Sequence, residues 1–141
     1  ADIGPVKLAY IQAASALAQN DSAGYSAQNQ AFHMAIWTAA DNDAMKELLS
    51  SLWNGLSMGH KVTQEHYAEI SMNEHYKILD ALKARDEVLA GNLMESHIMR
   101  SLENMKTARV VHPAQNHNGK ICSFDKLQNT LLTFSVIGCI L

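Results

Sequence analysis

Polar breaks divide the first 110 residues into stretches whose apolar positions recur three and four apart, the spacing of helices that bury one face. The first stretch, GPVKLAYIQAASALAQND, gives a broad apolar face of Val6, Leu8, Ala9, Ile11, Ala13, Leu17 and Ala18. Pro5 stands near its start, where a helix tolerates proline. Asn20 and Asp21 end it and can cap a second helix over about Ser22 to Ala40, which Gly24 weakens near its start. "ADND" breaks the chain again, with Asn42 or Asp43 as the cap of a third helix. In that helix Met45, Leu48, Leu49, Leu52, Trp53 and Leu56 keep helical spacing. The stretch MGHKVTQEHYAEI is less regular and predicts a bend between helices.

Ser71 followed by Glu74 has the form of a capping box and predicts the start of a fourth helix, with His75, Ile78, Leu79 and Leu82 toward its buried side. "KARD" closes it, and Asp86 caps a fifth helix that reaches about Lys106 to Val110. Its inner face is lined by Val88, Leu89, Leu93, Met94, His97, Ile98 and Leu102. No internal repeat and no strand-like alternation occurs before Val110, so residues 1–110 read as one all-α bundle. Residues 111–141 differ. VHPAQNHNGKICSFDKLQ is loop-like, and NTLLTFSVIGCIL is apolar and partly β-branched, so its pattern does not separate helix from strand. A segment of this kind is expected to pack on the bundle or on a second chain.

Composition narrows the function classes. A chain of 141 residues suits one domain, and 48% hydrophobic with 18% charged residues suits a folded one. The formal net charge of -3, without a Lys/Arg cluster, argues against nucleic-acid binding by this chain alone. The apolar part of LQNTLLTFSVIGCIL falls short of the roughly 20 residues that cross a bilayer. The start, ADIGPVKLAY, lacks a signal-peptide pattern, and the two cysteines, Cys122 and Cys139, lie in the tail, so the cytoplasm is the expected location. Pro5 and Pro113 are the only prolines, which leaves the interval between them free of the strongest helix breaker.

The candidate chemistry rests on histidine. "NQAFHMAIW" places Asn29 and His33 one helical turn apart among apolar neighbours, and buried polar groups need partners. His33, His75 and His97 each fall in or beside the apolar stripe of a different predicted helix. Three imidazoles converging from facing helices, completed by a carboxamide oxygen, suit a divalent transition metal. A histidine on an apolar face is more often a hydrogen-bonded core residue, and spacing between helices is not in itself a metal motif. The residues alone leave both readings open. His60, His66, His112 and His117 are assigned to surface or loop, and Trp37, Trp53, Met34 and Met94 to the core.

The ordered set NQAFHMAIWTAADNDAMKELL, SMNEHYKILDALKARD and AGNLMESHIMRSLENM resembles the ligand-binding domain of GntR-type bacterial transcription regulators, in the FadR-like branch whose effector domain is called FCD. The matching positions are Asn29 with Phe32 and His33, then Asn42, then Glu74 with His75, and finally His97, within about Val6 to Met105. The resemblance implies an antiparallel helical bundle with a central cavity, a metal on the cavity floor held by Asn29, His33, His75 and His97, and a small organic acid above it. It also implies a homodimer. Position 29 holds Asn where many metal-binding members hold Asp, so a divalent ion would keep its full charge and call for an anionic ligand. Arg100, one turn beyond His97, is a candidate to attract that carboxylate. The winged helix-turn-helix of such regulators has no counterpart here. The family's first effector-domain helix is likewise expected to be missing, and the tail is expected to fill its groove or to pair across a dimer.

These features predict a sensor that binds a small carboxylate with zinc or nickel as the favoured metal. The alternative is a metal-dependent hydrolase using the same three histidines. That would need a general base, and Glu74, Glu95 and Asp80 read instead as caps or exposed residues.

Overall fold

Local sequence signals set most helix boundaries in the structure, a computed structural model that describes residues 2–111, with the side chains of 55–65 and 108–111 outside that description. The described helices are α1 (Gly4–Ala18), α2 (Ser22–Ala39), α3 (Asp43–His66), α4 (Ala68–Ala84) and α5 (Glu87–Val111). The fold is all-α, a helical bundle with no strand among the described residues. Pro5 occupies the first turn of α1, where the missing N–H costs nothing.

The turns repeat one device. At the end of α1, Asn20 adopts a left-handed conformation (φ 54°), and the Asp21 N–H reaches back to the Ala16 carbonyl. Asp21 then caps α2, its carboxylate accepting from the Gly24 N–H at 2.9 Å. After α2, Asp41 is left-handed (φ 52°), and Asn42 caps α3 by accepting from the Met45 N–H at 3.1 Å. After α4, Arg85 is left-handed (φ 56°), the Asp86 N–H bonds the Ala81 carbonyl, and Asp86 accepts from the Leu89 N–H at 2.9 Å. One left-handed residue followed by one capping residue therefore reverses the chain and gives the next helix a side-chain acceptor for one of its free N–H groups.

The link between α3 and α4 departs from expectation. The bend predicted across MGHKVTQEHYAEI is confined to Tyr67, because α3 continues to His66 and α4 begins at Ala68. Tyr67 makes no side-chain cap, so no local signature marks the boundary. Ser71 and Glu74 do not form a capping box at a helix start. They sit inside α4, and their side chains bond Arg100 of α5 instead.

Val6 and Ala9 of α1, Phe32 and Ile36 of α2, Ile78, Leu79, Ala81 and Leu82 of α4, and Ala90 and Met94 of α5 form the main core. Tyr25 joins Ala13, Ala68 and Met72 in a second cluster. The broad apolar faces read from sequence are only partly buried: Leu8, Ile11, Leu48, Val88 and Leu89 are exposed. Met94 is buried, whereas Met34, Trp37 and Trp53 are half-buried. No helix among the described residues is long and apolar enough to cross a membrane. Val111, assigned to the tail, is the last residue of α5, and the expectations for residues 112–141, including Cys122, Cys139, His112 and His117, lie outside the described residues, as does the His60 side chain.

Candidate metal centre

α2, α4 and α5 each bring one imidazole to the same buried place. His33, His75 and His97 are 4%, 1% and 5% exposed, values that leave no room for solvation by bulk water. Their ring centroids lie 5.0 Å apart for His33–His75, 5.4 Å for His33–His97 and 4.6 Å for His75–His97. One nitrogen from each ring can be chosen so that all three lie within 4.8 Å of one another. His75 Nε2 and His97 Nε2 are 3.2 Å apart. Two nitrogens bound to one zinc at about 2.0–2.1 Å each would be separated by roughly 3.3 Å in a tetrahedral arrangement.

The walls of the centre are aromatic. Phe32 stacks on His75 with centroids 4.2 Å apart and an interplanar angle of 17°. Trp53 lies 5.1 Å from the His33 ring, and Trp37 lies 6.3 Å from it. Burial holds the His75 imidazole well below the usual histidine range, and the neighbouring His33, His97 and Arg100 charges push the same way. His75 is therefore neutral, the form in which histidine binds a metal.

Asn29, one turn before His33 on α2, is 5% exposed, and its Oδ1 has no hydrogen-bond partner. A buried carbonyl oxygen without a partner is costly, so it calls for a cation or a donor. His75 Nδ1 and Asn104 Nδ2 are the other buried unpartnered side-chain atoms among the described residues. The donor set fits a divalent transition metal: three imidazoles, one of them held neutral, with an unpartnered amide oxygen one turn from His33.

Arg100 faces α4. Its Nε donates to Glu74 Oε1 at 2.7 Å and its Nη2 to Glu74 Oε2 at 2.6 Å, a bidentate pair, while Nη2 also reaches Ser71 Oγ at 2.9 Å. Glu74 Oε2 lies 2.6 Å from His97 Nδ1. Partial burial raises the Glu74 carboxyl, but hydrogen bonds and charges from His97 and Arg100 outweigh it, and the group is lowered to about 2. Glu74 is the residue at this site whose part the sequence reading missed. The available signal was the pairing of Ser71/Glu74 on one helix with His97/Arg100 on another, each pair three residues apart and of complementary charge. His66 is exposed and stands apart from the cluster.

The arrangement defines an all-helical domain built around a buried polar centre. Its sequence profile matches the FCD domain over residues 1–100, and the chain belongs to the FCD domain family. That membership marks a ligand-sensing regulator domain. Neither the curated proteins nor the solved structures yielded a match to the chain.

Proposed function

We propose that this chain is the effector-sensing domain of a GntR/FadR-type transcription regulator, taking up zinc or nickel at Asn29, His33, His75 and His97. The observation that carries the reading is the convergence of three buried imidazoles from three helices, with nitrogens within 4.8 Å of one another. A bound divalent ion would supply a Lewis-acidic anchor for an organic carboxylate. The four side chains carry no negative charge, so the ion's charge is left for a small acid to balance. The Arg100 charge is balanced by the ionised Glu74, and its Nη1 takes no part in the bonds to Glu74 and Ser71. Arg100 is the residue assigned to draw in the ligand carboxylate. In this reading the protein acts in the cytoplasm as a homodimer, and DNA contact belongs to a separate domain.

The chemistry favours sensing over hydrolysis. A metal hydrolase needs a general base near its water, and the nearby carboxylate, Glu74, is engaged at both oxygens and lowered to about 2.

Mass spectrometry of the tag-free protein, beside the His75→Ala variant, tests the reading. Near-stoichiometric metal in the first and none in the second is expected, with small carboxylates binding only to the loaded form. Absence of metal from both after zinc or nickel is added back would overturn it.

A further inference from the structure

We infer that Glu74 is a positioning residue for the centre: it holds the His97 proton on Nδ1, so that Nε2 turns an open lone pair toward His33 and His75. The affinity part of this inference rests on the metal reading above. An ionised carboxylate only accepts hydrogen bonds, so the hydrogen in the 2.6 Å contact between Glu74 Oε2 and His97 Nδ1 belongs to the imidazole. In a neutral ring that leaves Nε2 bare. The bare atom is the one that lies 3.2 Å from His75 Nε2. In the metal-free protein a hydrogen on His75 Nε2 closes this contact. Nothing comparable fixes His75 from behind, because its Nδ1 has no partner.

Glu74 is itself held in register. Arg100 grips both of its oxygens, and Ser71, one turn earlier on α4, takes a further hydrogen bond from the same guanidinium. The set spans α4 and α5, so the ring orientation of His97 is tied to the packing of these two helices. A carboxylate behind a histidine ligand fixes its tautomer and raises its basicity, and loss of such a partner typically lowers metal affinity about 10- to 100-fold.

The test reads nitrogen-15 chemical shifts of the histidine side chains in metal-free protein at mildly alkaline pH, together with zinc affinity by competition with a chromophoric chelator. The variants are Glu74→Leu and the double variant Glu74→Leu/Arg100→Leu. The double variant removes both charges together, so it keeps the test open if the single one fails to fold. Wild-type His97 should show a protonated Nδ1 and a bare Nε2. The variants should lose that single tautomer and bind zinc roughly 10- to 100-fold more weakly. A wild-type His97 with its proton on Nε2, or unchanged zinc affinity in a folded variant, would overturn the inference. If the wild type binds neither zinc nor nickel, the metal reading fails, and the tautomer measurement still decides the role of Glu74.

Discussion

Under the proposed function, Asn29 sets stability against binding within one side chain. Its Oδ1 is buried without a partner, a condition that costs about 1–3 kcal/mol. Asn29→Leu should therefore raise the thermal midpoint of the metal-free protein while lowering its metal uptake, read by calorimetry and mass spectrometry on the same preparations. A lower midpoint would mean that the amide is satisfied in solution by something other than a metal. Tyr25 gives a second residue-scale prediction. Burial raises its hydroxyl to about 12, and the hydrogen bond to Ser71 and the Arg100 charge only partly oppose this. Because the folded value exceeds the ordinary 10, Tyr25 contributes its full stability below pH 10 and loses it as pH rises from 10 toward 12. Alkaline unfolding followed for wild type and Tyr25→Phe should diverge in that window. The convergence of His33, His75 and His97 was legible in the sequence because each lies on the apolar stripe of its own helix. The part played by Glu74 was not: its partners, His97 and Arg100, stand on another helix, and its spacing from Ser71 imitates a local cap.

Among the elements, the reversals made by Asn20–Asp21, Asp41–Asn42 and Arg85–Asp86 show why helix ends could be read so closely. Asp21, Asn42 and Asp86 act on backbone N–H groups three residues ahead, so their information is local. The left-handed residue before each cap carries a side chain, a conformation that costs a non-glycine residue roughly 1–2 kcal/mol. Arg85→Gly should accordingly move the urea midpoint upward by about 1 kcal/mol of stability, less what glycine adds to the freedom of the unfolded chain. A downward shift would show that the Arg85 side chain makes a compensating contact. The break at Tyr67 was legible only as a bend somewhere in MGHKVTQEHYAEI, because it uses no side-chain cap to fix its position. The overwide faces of α1 and α5 have a different origin. Apolar residues surround much of each helix, so spacing alone does not choose whether Leu8 and Ile11, or Val6 and Ala9, turn inward.

For the molecule as a whole, the fold class followed from local periodicity, whereas the pairing of helices depended on contacts between residues far apart in the chain. α1 packs on α2 and α4, while α5 meets α3 and α4, and these pairings carry α2, α4 and α5 to a common point. No single helix holds more than one of the three imidazoles, so the centre exists only when the bundle is assembled. The cluster of Trp37 and Trp53 around His33 adds an optical consequence. They are the only tryptophans in the 141-residue chain, so its indole emission arises entirely beside the centre. Nickel, with an open d shell, should extinguish that emission in proportion to its uptake, while filled-shell zinc should leave most of it. Titration of wild type and His75→Ala would show a break at stoichiometric nickel in the first and a featureless decline in the second. Emission that ignores bound nickel would place the metal elsewhere in the chain. Under the proposed function, these two indoles would serve as a built-in fluorescent gauge of the metal's arrival.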